Sequence, residues 1–194
     1  MTIEFDGKSL MIQTITEAIE AGGDDRSITE NVREALCALM QDTRIQLPDE
    51  VYQNDSDQYA RRLIHRDETL GYTIMAMTWG PSQGTPIHDH DGLWCVEAVW
   101  HGQIEVVQYE MMEDRGAQVR FESRTTMRAG PGSAGSLIPP HEHHTIANPS
   151  DQATAVTIHI YADSLEQCCV FQPIEGDTAG WYARIEKELS LDAA

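Results

Sequence analysis

The chain has 194 residues, 41% of them hydrophobic, enough for one domain with a substantial core and too few for two comfortable ones. Thirty-two acidic residues against 13 basic ones leave a net charge of −19, which argues against nucleic acid or an anionic membrane as partner and requires a local Arg or Lys wherever an anionic substrate binds. No apolar run is long enough to span a bilayer, and the N-terminus lacks a basic-then-apolar export signal. The four cysteines, Cys37, Cys95, Cys168 and Cys169, form neither a zinc-type CxxC pair nor a secreted disulfide framework, so the composition reads as a reduced, cytoplasmic protein.

Residues 9–45 read as helical. Ile12, Ile15, Ala18 and Ile19 recur at helical spacing, Gly22-Gly23-Asp24-Asp25 breaks the run, and Val32, Ala35, Leu36, Leu39 and Met40 resume it. Ser27-Ile28-Thr29-Glu30 fits a capping box with Ser27 as N-cap. From about residue 59 the pattern changes to short strands, predicted over 72–79, 93–100, 104–109, 119–126, 153–161 and 168–171. Turn signals separate them, among them Gly80-Pro81, His101-Gly102 and Gly130-Pro131-Gly132. The expected fold is mainly β: one domain over 1–194, with a helical part (1–50) packed outside an antiparallel jelly-roll barrel (59–172) and a tail (173–194) forming a short helix.

The chemistry-bearing residues are histidines. His88 and His90 are two apart, so on a strand they point to the same face. A third imidazole from a distant strand would complete a three-nitrogen site with open positions, as a catalytic metal requires. His141, His143 and His144 compete for that place. His144 is favoured by standing four residues before Asn148 and thirteen before Thr157, leaving His141 and His143 as a polar loop at the barrel mouth. His65 and His101 read as ordinary polar residues. Thr157, His159 and Tyr161 alternate along one strand and share a face, while Val156, Ile158 and Ile160 take the other.

These motifs resemble the cupin superfamily, with His88-x-His90, Gly102 and His144-x-x-x-Asn148 in the expected places. The usual cupin glutamate is replaced by Cys95. That substitution is similar to the thiol dioxygenases, above all the cysteine dioxygenase family. The resemblance covers roughly residues 59–172 and implies a single-domain cupin fold. It implies Fe(II) held by His88, His90 and His144, and a strand carrying Thr157, His159 and Tyr161 beside it. It also implies an arginine for substrate carboxylate in Tyr59-Ala60-Arg61, and a Cys95–Tyr161 pair of the kind that can crosslink as a thioether. Arg61 and Arg62 are adjacent, so only one can face inward. The Tyr-x-Arg match favours Arg61, while an apparent extra residue before Trp79 leaves Arg62 open.

The activity so implied is addition of both atoms of O2 to the sulfur of a small thiol carboxylate, giving the sulfinate. Three neutral imidazoles leave the metal its full charge, suiting a site that waits for an anionic thiolate. Three histidines could equally hold zinc, nickel or copper; iron follows from the chemistry and the resemblance. Arg61 and Cys95 favour L-cysteine, whereas Trp94 before the cysteine is reminiscent of the mercaptoalkanoate branch, leaving 3-mercaptopropionate or mercaptosuccinate as alternatives. Glu97 reads as a solvated residue on the outer face, or as a partner for a substrate amine if it points inward. Cys168 and Cys169 read as core residues. A non-thiol metal cupin dioxygenase and a non-catalytic metal-binding cupin are the other readings.

Overall fold

The computed structural model describes residues 2–55 and 57–190. Two helices, α1 (Lys8–Glu20) and α2 (Asp25–Leu39), come first. A single 3-10 turn at Asp49–Tyr52 leads into the strands. These are β1 (Ala60–Arg66), β2 (Thr73–Trp79), β3 (Ile87–His88), β4 (Cys95–His101), β5 (Ile104–Asp114), β6 (Gln118–Ala129), β7 (Ala134–Leu137), β8 (His144–Ala147), β9 (Ala155–Tyr161), β10 (Gln167–Pro173) and β11 (Trp181–Glu188). Among the described residues, no helix is long and apolar enough to cross a membrane.

The strands form two antiparallel layers. One is a five-stranded sheet in the order β1-β2-β9-β4-β7; in the other, β10-β11-β6-β5-β8-β3 close into a ring. The helices cover the outer face of the five-stranded sheet. Met11 and Ile15 of α1 and Val32, Leu36 and Leu39 of α2 pack in one cluster with Ile74, Ala76, Val96, Ala98, Val156, Ile158 and Ile160. These strand residues alternate with Met75, Met77, Cys95, Glu97, Thr157, His159 and Tyr161, which therefore face the other layer. The mainly β fold with N-terminal helices outside the barrel is the architecture expected from the sequence.

Helix α2 starts earlier than the capping box suggests. Asp24, not Ser27, is the N-cap: its carboxylate accepts from the Ser27 backbone N–H at 2.9 Å and from the Ser27 hydroxyl. Glu30 pairs with Arg33 instead of reaching back. Gly22 and Gly23, both at positive φ, let the chain turn sharply just before this cap. The C-terminal segment also departs from expectation. Residues 181–188 form a strand, not a short helix, because β11 pairs with β10 over residues 182–188 and with β6 at its start. This sheet pairing overrides the local helical pattern.

Two close approaches fix the strands that carry the histidines. Gly102, at φ +75°, turns β4 into β5, and a Cβ there would lie 2.7 Å from the Thr154 carbonyl oxygen. At Gly84, a Cβ would lie 2.7 Å from that of Ala147, so only glycine lets the segment before β3 lie against β8. Asn148 ties the neighbouring loops together, its Nδ2 bonding the carbonyls of Trp79, Gly80 and Ala153.

Candidate metal centre

The antiparallel pairing of β3 with β8 makes His88 and His144 direct cross-strand partners, with ring centroids 4.4 Å apart. His90 follows just past the end of β3, 5.3 Å from each of the other two rings. One ring nitrogen from each of the three lies within 4.8 Å of the others. His90 and His144 are fully buried.

The other ring nitrogens fix the orientation. A carbonyl oxygen only accepts, so His144 Nδ1 donates to the Glu142 carbonyl at 2.8 Å and His88 Nδ1 to that of Pro86 at 3.2 Å. Both rings therefore turn their Nε2 lone pairs inward, as partners behind metal-bound histidines do. His90 Nδ1 lies 3.5 Å from the Glu142 carboxylate, which also accepts from the His90 backbone N–H. Neither ring nitrogen of His90 has a hydrogen-bond partner among the described residues, whereas His144 Nε2 stands beside the Glu97 carboxylate, which outweighs burial and raises this imidazole above its ordinary value. Burial, and then the His144 charge, push His88 down to about 3; the same causes push His90 well below its ordinary value. Both are thus neutral, as metal ligands must be. Buried imidazole nitrogens without partners, converging on one point, fit a metal ion.

The opposite wall comes from the five-stranded sheet. Thr157 Oγ1 lies 2.7 Å from His159 Nε2 and accepts from Trp79 Nε1 at 2.9 Å. Tyr161 Oη lies 3.3 Å from His159 Nδ1. Cys95 and Tyr161 are cross-strand partners on β4 and β9, and Cys95 Sγ stands 4.0 Å from His159 Nδ1. Burial raises both the Cys95 thiol and the Tyr161 phenol well above their ordinary values, so both keep their protons.

Glu97 corrects the sequence reading. It is not solvated on the outer face. It points between the layers, where Oε1 lies 3.3 Å from His144 Nε2 and 3.2 Å from His159 Nδ1. Burial works to raise its carboxyl, but His159 and His144 outweigh that and hold it well below the usual carboxylate range. Strand alternation could have found it, since 95, 97 and 99 share a face. What misled was the cost of burying a carboxylate, which two imidazoles offset here. Trp79 and Glu142 also escaped the sequence reading.

The two arginines separate cleanly. Arg61 is buried and donates to the carbonyls of Leu165 at 3.2 Å and Ser190 at 3.3 Å. Arg62 turns to the other side, toward the Thr78 hydroxyl and the Gln53 carbonyl, both at 2.8 Å. The apparent extra residue is absorbed at Ile64, where the β1–β2 register shifts between Leu63 and His65. Arg61, Trp79, His88, Glu97, His159, Tyr161 and Cys168 line one cavity of about 430 Å³, of the size that takes a small molecule.

The remaining candidates fall outside this cluster. His143 is no part of a polar mouth: it is buried against Phe121 and Phe171, with ring centroids at 5.0 and 5.6 Å. His141 is exposed. His65 sits beside Asp67 and Tyr72, and His101 edges onto Tyr52, both away from the cavity. Cys168 is buried at the cavity wall, its thiol pushed up to about 11 by burial and then by Asp89. Cys169 is half-buried.

Comparison with known proteins places the chain in a family. Residues 35–173 match the family model for cysteine dioxygenase type I. Cysteine dioxygenase type 1 from Rattus norvegicus is 24% identical over 123 residues, and that from Danio rerio 26%, each match covering 63% of this chain. The match spans 60% of the length of these relatives. A solved structure from Thermus thermophilus aligns over 61% of this chain and 96% of its own, at 17% identity and a TM-score of 0.47. Carrying the family model over most of its length, this chain belongs to the cysteine dioxygenase type I family.

Proposed function

We propose that the protein is a non-haem Fe(II) thiol dioxygenase acting on a small thiol carboxylate. In the reaction, R–SH and O2 give R–SO2H: both oxygen atoms end on sulfur, which loses the four electrons that dioxygen gains. His88, His90 and His144 would hold the iron. When bound, Fe(II) supplies the one-electron chemistry that lets dioxygen react with a thiolate and favours the thiolate form of the substrate. The observation that carries the reading is the cluster of three imidazoles, one of which, His88, lines a cavity that also holds a buried arginine and a buried tyrosine.

The protein's own groups have distinct tasks. Arg61 receives the substrate carboxylate; a guanidinium fork in a partly dry cavity binds it far better than a surface lysine would. Trp79 Nε1 can only donate, so Thr157 accepts from it and keeps its own proton for His159 Nε2. His159 then carries its hydrogen on Nδ1, facing Glu97 and the Tyr161 oxygen. The Tyr161 hydroxyl otherwise donates only to Met77 Sδ at 3.9 Å, a weak acceptor that a reacting group in the cavity can replace. The apolar side chains of Met77, Leu165 and Val170 restrict water there.

L-Cysteine is the first candidate substrate, on the Arg61 and Cys95 pair; 3-mercaptopropionate and mercaptosuccinate present the same thiol and carboxylate. Oxygen uptake by the iron-loaded protein with a panel of thiols tests the proposal. Uptake should be stoichiometric with sulfinate and should require a carboxylate. Uptake without any thiol would indicate a different cupin dioxygenase, and no uptake a binding protein. The cross-strand pairing of Cys95 and Tyr161 also supports a thioether, which intact-mass measurement would reveal as the loss of two hydrogens.

A further inference from the structure

We propose that Lys187 is a second anion-binding group of the cavity, and that the substrate is a thiol dicarboxylate of the mercaptosuccinate kind. The proposal rests on the thiol dioxygenase reading above and narrows its substrate class. The chain holds only two lysines, Lys8 and Lys187, among 13 basic residues set against 32 acidic ones. In so acidic a chain a cation finds a carboxylate easily. Nine of the basic residues, Lys8 among them, hold one in an ion pair. Lys187 makes no ion pair or hydrogen bond with any described residue, although Glu186 and Glu188 stand on either side of it.

The strand register explains why. In the β10–β11 pair, Lys187 stands opposite Cys168, Glu186 opposite Cys169 and Glu188 opposite Gln167. Cross-strand partners share a face, and neighbours along a strand alternate. Cys168 lines the 430 Å³ cavity and so does Lys187, whereas neither glutamate does. Arg61 lines the same cavity, and Arg61, Lys187 and Glu188 share an adjoining cleft of about 50 Å³. Burial and Asp89 raise the Cys168 thiol to about 11, and Lys187 and Arg61 both pull against that, so both positive charges are felt at one point of the wall. The carboxylates lining the cavity do not neutralise Lys187: Glu97 is held by His144 and His159, and Asp57 forms no ion pair with the lysine.

The substrate class follows from two cations in one cavity. Arg61 takes one carboxylate in its planar fork; Lys187 is a point charge on a flexible stem, suited to a second anion at the mouth. Together they offset locally the repulsion that a chain of net charge −19 exerts on a dianion. 3-Mercaptopropionate satisfies Arg61 alone. L-Cysteine adds an ammonium group, which Lys187 opposes. Mercaptosuccinate is 3-mercaptopropionate with one more carboxylate, on the carbon that bears sulfur, and it satisfies both cations.

The test is anaerobic binding of mercaptosuccinate, 3-mercaptopropionate and L-cysteine to the Fe(II)-loaded full chain, by calorimetric titration, in wild type, Lys187→Gln and Lys187→Glu, with aerobic KM and kcat beside it. Wild type should bind mercaptosuccinate about 10-fold more tightly than 3-mercaptopropionate, the lower end of what a charge-assisted bond contributes, because Lys187 is exposed. Lys187→Gln should erase that preference and Lys187→Glu reverse it, with the change falling on KM more than on kcat. The same preference in all three proteins would overturn the role of Lys187 and leave the thiol dioxygenase reading standing. So would a wild type that binds L-cysteine or 3-mercaptopropionate at least as tightly as mercaptosuccinate. Equal losses for all three thiols in Lys187→Gln would assign the lysine to structure and overturn the second anion site. A wild type that binds none of the thiols would overturn the parent reading, and this inference with it.

Discussion

The two faces of the five-stranded sheet are made by the same strands and could hardly differ more. Toward the helices, β2, β4 and β9 present Ile74, Ala76, Val96, Ala98, Val156, Ile158 and Ile160, all essentially inaccessible. Toward the ring of strands they present Cys95, Glu97, Thr157, His159 and Tyr161, almost as deeply buried but polar. The first face gains free energy from every group it buries. The second would lose it unless each donor and acceptor were matched. Alternation along single strands thus couples a face that supplies stability to one that spends part of it on placing reactive groups.

The sharpest break of that comparison falls on the polar side. His90→Ala should abolish stoichiometric metal binding, with an affinity loss beyond the roughly 10–100-fold typical of lost orienting partners, and activity should vanish with it. Metal analysis beside oxygen uptake checks this; full metal and full turnover in the variant would refute the ligand assignment. On the apolar side, Ile158→Ala removes a fully buried side chain from between β9 and the helices. It should cost about 2–5 kcal/mol in denaturant unfolding, while the folded fraction keeps its metal affinity. A large metal-affinity loss there would mean that the two faces are not separable.

What the sequence made legible follows the same division. The HxH pair, the third histidine and the Thr157-His159-Tyr161 strand could be read because their information is local: fixed spacings on alternating positions. The helices too were readable from periodicity. What stayed hidden depended on partners far along the chain. Glu97 became tolerable in the interior only through His144 and His159 on other strands. The choice between Arg61 and Arg62 turned on a register shift at Ile64, fixed by pairing with β2. The tail became a strand because β10 and β6 offered their edges.

Arg61 sharpens the comparison from a third direction, as a charge at the rim between the two layers. Arg61→Gln removes a charge-assisted grip on carboxylate, a contact worth about 1.5–3 kcal/mol, or roughly 10- to 100-fold. The increase should fall on KM for thiol carboxylates and leave kcat closer to wild type. An uncharged thiol of similar size, such as a mercaptoalcohol, should lose little. Equal losses for both would assign Arg61 to holding the Leu165 and Ser190 carbonyls instead.

The smallest effect tests whether the polar face works as one network. Thr157→Val keeps nearly the same shape but removes the hydroxyl between Trp79 Nε1 and His159 Nε2. Two buried groups then lose a partner, at about 1–3 kcal/mol each, so the unfolding midpoint should fall. If His159 orients Tyr161 and Glu97 through its hydrogen on Nδ1, loss of the proton donor at Nε2 frees the ring to adopt the other tautomer. Turnover should then drop several-fold while KM barely moves. Thr157→Ser, which restores the hydroxyl without the methyl, should recover most of the turnover. Recovery separates orientation of the ring from simple loss of stability: the serine variant still lacks a buried methyl group, and a purely structural defect would persist in it.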